Sequence, residues 1–200
     1  METRNIGAYA ELHRQRTYGN TAVRMKRFIE PWVQLAAPLS ILDYGAGQGG
    51  FVDLLDVPSL SDRQSYDPAI PSLSSRPGGD VDYVVCIDVL EHLEPEEVPG
   101  VLADIAGLSR KALIIVTTAP ARAVLPDGRN AHTTIRPPRW WKARIAEAFG
   151  TAAAIPVFRK NRCGFKTYSS PPAEWLGFGG RYGRAELAYQ FWRLRGGRFR

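Results

Sequence analysis

Two kinds of apolar pattern alternate along the chain. Short continuous runs, ILDY (41–44), VDYVVCID (81–88) and KALIIVTT (111–118), are rich in β-branched and aromatic residues and predict buried strands. RQSYD (63–67) predicts a weaker strand. Between these lie stretches with helical spacing. VRMKRFIEPWVQLAA (23–37) predicts a helix capped by Asn20–Thr21 and interrupted or restarted at Pro31. GGFVDLL (49–55) predicts the start of the next helix. PEEVPGVLADIAGL (95–108) repeats apolar side chains at Val98, Leu102, Ile105 and Leu108, with acids in its first turn. PPRWWKARIAEAF (137–149) opens on prolines and stops before Gly150. AAAIPVFRK (152–160) and FKTYS (165–169) predict a closing hairpin. Phe191, Trp192 and Leu194 are expected to dock a last helix onto the body.

This alternation predicts a doubly wound α/β fold with a mostly parallel sheet. Ligands of such sheets bind at the carboxyl ends of the strands. Residues 1–37 are expected to form a helical lid, and residues 38–200 a core with a basic end, in a single domain. Only residues 68–80 separate the second strand from VDYVVCID, so the sheet is expected to be shortened there.

Composition narrows the class. No apolar run approaches the ~18–20 residues that a membrane helix needs, and the polar, charged N-terminus does not resemble a secretory signal. Two cysteines, Cys86 and Cys163, predict free thiols and a reducing, cytoplasmic setting. The net charge of +6 is uneven. Residues 151–200 carry ten lysines and arginines against two glutamates, +8, which leaves −2 for the rest. That end is either a solvated surface or an attractor for an anionic partner such as nucleic acid.

The chemistry concentrates after the first strand. ILDYGAGQGG places Asp43 at a strand end, followed by Gly45, Gly47 and Gly49. Glycines there let the backbone turn sharply and approach a ligand closely. The loop lacks the Lys-Ser/Thr pair of a phosphate-binding P-loop. Asp67 ends the next strand, 20 residues beyond Gly47, where an acid can accept hydrogen bonds from ribose hydroxyls or simply form a turn before Pro68.

ILDYGAGQGG, YDP and VVCIDVLEHL together resemble the class I S-adenosylmethionine-dependent methyltransferases, in the short-insert bacterial and phage-type form. The likeness runs over roughly residues 38–158. It implies S-adenosylmethionine as cofactor and S-adenosylhomocysteine as product. It implies that Gly45, Ala46, Gly47 and Gly49 pass beneath the methionine part, with Asp43 beside it. Asp67 would take the ribose hydroxyls, and Asp88 and Val89 would lie near the methyl group. The shortened segment leaves the adenine-contacting acid unassigned; Asp80 is the acid within it, and Asp82 begins the next strand. A dinucleotide dehydrogenase is the competing reading of the glycines, but DVLEHL is no part of its fingerprint.

Histidines suit proton abstraction near neutral pH. His92, in DVLEHL, and His132, in the loop after KALIIVTT, both fall at the carboxyl edge, and with Asp88 they are the catalytic candidates. Either histidine can instead be a structural hydrogen-bonding group. Asp88, Glu91, His92 and His132 could ligate Mg²⁺ or Mn²⁺, although the expectation is that no metal is used. By analogy, Tyr9, His13 and Tyr18 form a lid. Arg129, Asn130 and Arg136 are candidates for an anionic or sugar-like acceptor, and Trp141 for the pocket wall. A small-molecule or saccharide acceptor is the first reading. RNA or ribose is the second, and a cofactor-binding scaffold without catalysis is the third. Oligomeric state is not legible.

Overall fold

A computed structural model describes residues 6–15 and 21–197, with only the backbone for 12–15. Six strands form one sheet in the order β2-β1-β3-β4-β6-β5. β1 (Ser40–Tyr44), β2 (Asp62–Tyr66), β3 (Tyr83–Ile87) and β4 (Ala112–Thr117) run parallel. β6 (Arg162–Lys166) is antiparallel to both β4 and β5 (Ala153–Ile155). β3 and β4 are buried at every position, as continuous apolar runs covered on both faces must be.

Helices cover both faces. α3 (Val98–Leu108) and α4 (Pro138–Phe149) pack on one, where Leu102, Ile105, Trp141 and Ile145 are fully buried. α4 stops where expected. Gly150 adopts φ +82°, and its N–H reaches the Ala146 carbonyl at 2.8 Å. α2 (Thr21–Ala36) and α5 (Pro172–Leu194) pack on the other face. α1 (Ile6–Gln15) precedes them.

Four expectations are corrected. Pro31 neither interrupts nor restarts α2, which runs unbroken with Pro31 buried inside it. Burial of Phe28, Ile29, Trp32 and Val33 on one face offsets the main-chain hydrogen bond that proline cannot donate. The helix predicted from GGFVDLL is a single 3₁₀ turn, Val52–Leu54. Gly49 and Gly50 stand at φ +78° and +83°, and a right-handed helix cannot start through two left-handed residues. Third, β6 begins at Arg162 rather than Phe165 and ends at Lys166, while β5 is only three residues long.

The fourth concerns the end of the chain. α5 is 23 residues long, and Phe191, Trp192 and Leu194 do not dock it: Phe191 is 63% exposed and Leu194 83%. Docking falls to an earlier stretch. The Phe178 ring stacks on Trp32 at 4.4 Å between centroids, Tyr182 stacks on Phe28 at 5.4 Å, and Trp175 meets Trp32 edge-on at 5.0 Å. The buried Lys166 places its Nζ 4.6 Å from the centre of the Trp32 ring and 5.3 Å from that of Trp175, so the aromatic cluster also solvates a cation.

Trp32→Ala is therefore expected to destabilise the fold by about 3–5 kcal/mol, the cost of truncating a fully buried aromatic. Leu187→Ala, on the exposed face of α5, should change it by less than about 0.5 kcal/mol. Urea denaturation followed by circular dichroism measures both.

Candidate functional site

A cavity of about 670 Å³ opens at the carboxyl ends of the parallel strands. Its size suits a nucleoside-sized ligand. One wall is the loop after β1, where Asp43, Tyr44, Gly45, Ala46 and Gly47 line it. Gly45 (φ +79°) and Gly47 (φ +57°) need the left-handed backbone that glycine adopts freely. A Cβ on Gly45 would also come within 2.4 Å of Val89 Cγ2, so the loop and the segment after β3 are packed in direct contact. Gly49 does not line the cavity, contrary to expectation. It turns the chain at φ +78°, and a Cβ there would come 3.2 Å from Leu73 Cδ1.

Asp67, at the end of β2, ties this wall together. Its Oδ2 accepts the Gly47 N–H at 2.7 Å, and its Oδ1 accepts the Ala69 N–H at 2.9 Å. Each carboxylate oxygen keeps a second acceptor site, and Asp67 lines the cavity. Asp43 is 2% exposed. Burial, and then the nearby Asp67 charge, push its carboxyl up to about 7. Two acids thus flank the glycine loop, one of them poised to change charge near neutrality.

Asp88 follows β3 at φ +53°, a left-handed conformation that aspartate tolerates. Arg162 donates to both of its oxygens, Nη2 to Oδ2 at 2.6 Å and Nε to Oδ1 at 3.1 Å, and Thr117 Oγ1 donates to Oδ1 at 3.0 Å. Glu91 is fully buried behind it. Its Oε1 accepts the Thr117 N–H, and its Oε2 has no hydrogen-bond partner. Burial and the Asp88 charge raise it to about 8.

His92 and His132 both line the cavity, with ring centroids 4.9 Å apart. His92 Nδ1 lies 2.8 Å from the Ala131 carbonyl, and His132 Nδ1 lies 2.6 Å from the Ala119 carbonyl. A carbonyl only accepts, so each Nδ1 carries the proton. Nε2 is then the basic nitrogen of both neutral rings. Tyr9 borders the same edge and donates to the Ala131 carbonyl at 2.5 Å. The His13 side chain and Tyr18 lie outside the described residues.

Other candidates are placed elsewhere. Trp141 is fully buried between α4 and the sheet, because α4 turns its apolar face inward, and neither it nor Trp140 lines the cavity. Asn130 pins its own loop: its Oδ1 accepts the Ala121 and His132 N–H groups, and its amide donates to the Ala121 carbonyl. Arg129 is drawn outward to Asp127 and Glu94, at 2.7 and 2.6 Å. Arg136 is exposed, with its guanidinium 6.0 Å from the centre of the Trp140 ring. Among the described residues no group of three or more His, Cys, Asp or Glu side chains is arranged to hold a metal ion, and Asp88 of the proposed set is already paired with Arg162. Asp82 caps the opposite edge of the sheet, accepting the Leu39 and Ser40 N–H groups, and so lies away from the cavity.

Several lining residues carry no signal in the sequence. Tyr44 and Asp104 meet at 2.8 Å, Arg76 pairs with Asp104 at 2.8 Å, and Tyr66 meets Tyr44 edge-on. Asp104, three residues after Val101 on α3, was readable only as a polar gap in a helical repeat. Arg162 belongs to a hairpin that only the tertiary fold brings to Asp88.

This topology has counterparts among solved structures. DhpI, solved with SAM and HEP, superimposes with a TM-score of 0.57 at 13% identity, covering 80% of this chain and 92% of that one. The fold is that of the class I methyltransferases. An O-methyltransferase family protein from Burkholderia thailandensis matches at a TM-score of 0.51 and 17% identity over 73% of this chain; the match spans 57% of that protein, little more than half. The 1,6-didemethyltoxoflavin-N1-methyltransferase of the same organism, solved with 1,6-didemethyltoxoflavin and S-adenosylhomocysteine, matches at 0.50 and 18% over 74% of this chain and 79% of that one. No family model matches the sequence, and no curated protein matches it significantly. Between β2 and β3 the chain forms only a 3₁₀ turn, Pro71–Leu73.

The raised Asp43 sets a pH dependence. Its ordinary carboxyl ionises near 4 in the unfolded chain but near 7 in the folded one. Between these values the folded state holds the extra proton, so stability falls as pH rises from 4 to 7 and levels off above. Asp43→Asn should remove that fall. The difference between the two proteins in unfolding free energy, measured by urea titration from pH 4 to 8, is expected to grow by on the order of 4 kcal/mol.

Proposed function

We propose that this protein transfers a methyl group from S-adenosylmethionine to an oxygen or nitrogen of a small-molecule or saccharide acceptor. The observation that carries the reading is the cavity wall itself: a glycine loop held open by Asp67 and backed by the buried Asp43, in a class I methyltransferase fold.

The residues present fit this cofactor. Asp43, raised to about 7, is matched to the ammonium of the methionine part, which would hold it ionised. Gly45, Ala46 and Gly47 leave room for that part, and Asp67 retains acceptor sites for ribose hydroxyls. Asp88 and Val89 border the end where the methyl group is delivered. When bound, the cofactor supplies an electrophilic methyl for in-line displacement, and the chain supplies alignment. His132 and His92, with Nε2 as the basic ring nitrogen, take the acceptor proton. Tyr9 and Ile6 on α1 border the cavity and serve as the lid. NAD is disfavoured, because its pyrophosphate would face the two acids. The described residues contain no helix long and apolar enough to cross a membrane, and the two free thiols favour a cytoplasmic setting. A second reading, methylation of RNA or ribose, rests on the basic C-terminal quarter.

Calorimetric titration tests the reading. S-adenosylmethionine and S-adenosylhomocysteine should bind, and NAD should not. Gly47→Val should abolish binding, and Asp67→Ala should weaken it by about 1–3 kcal/mol. Repeating the titration near pH 6.5 in buffers of different ionisation heat should reveal proton release as Asp43 ionises. No binding to the unmodified protein would overturn the assignment. Once an acceptor is in hand, transfer should survive chelation of divalent ions.

A further inference from the structure

A second concavity, about 480 Å³, adjoins the cavity and is lined by Thr21, Arg24, Met25, Arg159, Arg162, Tyr189 and Arg193. Thr21 and Arg162 line both spaces, so the two are continuous. Its four arginines come from separate parts of the chain: Arg24 from α2, Arg159 and Arg162 from the β5–β6 connection and the start of β6, and Arg193 from α5. Arg162 is paired with Asp88. Among the described residues, Arg24, Arg159 and Arg193 have no acidic partner and no acid lines the groove. Lys160, between Arg159 and Arg162 in sequence, lines the cavity, as does Arg122. Unpaired like charges gathered around a concavity raise the energy of the empty site, and an anion relieves it.

We infer that this groove binds a phosphate group of the methyl acceptor, so that the substrate is a phosphorylated small molecule. The inference rests on the methyltransferase reading. A phosphate dianion, with three terminal oxygens, matches several guanidinium forks better than a single carboxylate does. The site as a whole is polarised: Asp43 takes the cationic end of the cofactor beside the ribose-binding Asp67, and the arginines take the anionic end of the acceptor. The two ligands cannot exchange places without facing like charge. Nucleic acid fits less well, because these cations converge on one groove. The outward face of α5, where a longer track would run, carries the exposed Arg184 and Arg195 but interrupts them with Leu187, Phe191 and Leu194.

The full chain would be titrated with inorganic phosphate and, separately, with a 5′-phosphorylated RNA of ten nucleotides, at two salt concentrations. S-adenosylhomocysteine binding is measured in parallel. Phosphate is expected to bind at one site. Arg24→Ala, Arg159→Ala and Arg193→Ala should each weaken it about tenfold, as for loss of a charge-assisted hydrogen bond, and the triple variant should not bind it. Affinity for S-adenosylhomocysteine should stay within about twofold in all variants, which also reports that they fold; each changes an exposed residue. Absence of phosphate binding, or its persistence in the triple variant, overturns the inference and leaves the cofactor assignment standing. RNA binding far tighter than phosphate and falling steeply with salt overturns it in favour of a nucleic-acid acceptor. If the unmodified protein binds phosphate but not S-adenosylhomocysteine, the methyltransferase reading fails instead.

Discussion

The carboxylate of Asp67 holds the site in shape. It accepts one N–H from the glycine loop after β1 and one from the turn after β2, and so joins the ends of two neighbouring strands by side-chain bonds where the ladder has stopped. The constraint is needed because the helix that ordinarily follows such a loop is reduced to one 3₁₀ turn. Without a helix to anchor it, the Gly45–Gly47 backbone is held by the Gly45 and Ala46 N–H bonds to the Tyr66 carbonyl and by Asp67 on one side, and by contact with Val89 on the other.

A second constraint organises the far wall. Asp88, Arg162 and Thr117 come from the ends of β3, β6 and β4, and their mutual hydrogen bonds join the parallel part of the sheet to its antiparallel hairpin. Glu91 supports this from behind by accepting the Thr117 N–H. The two histidines are then held by carbonyls of the surrounding loops, which fixes the proton on Nδ1 in both. The far wall is built from paired charges, whereas Asp43 and Asp67 of the near wall have no cationic partner among the described residues.

The strands were legible because β3 and β4 are covered on both faces, and burial leaves an uninterrupted apolar run. Residues at the ends of these strands, Asp43, Asp67, Asp88 and His92, were legible for the same reason: the topology brings strand ends to one edge. His132 followed from the loop after β4. Elements controlled by glycine were not. Gly49 and Gly50 end a helix that the apolar positions alone predict. Gly177, Gly179, Gly180 and Gly183 obscure α5, which stands because Phe178 and Tyr182 pack on α2 rather than by propensity. Trp141, Arg129 and Asn130 were misassigned because loop and helix side chains choose their partners in three dimensions, and those partners were the core, Glu94 with Asp127, and the loop's own backbone.

The shortened segment after β1 also bears on what the loop attracts. A full helix there would aim its N-terminal amides at the ligand, with a partial positive charge that favours phosphates. A three-residue turn carries almost no such field. The Gly47 amide, which could have contributed, is already bonded to Asp67. The local potential beneath the loop is therefore set by carboxylates rather than by backbone dipoles. Losing one helix thus turns an edge that would discriminate weakly between nucleotide cofactors into one that selects by the sign of the ligand's charge.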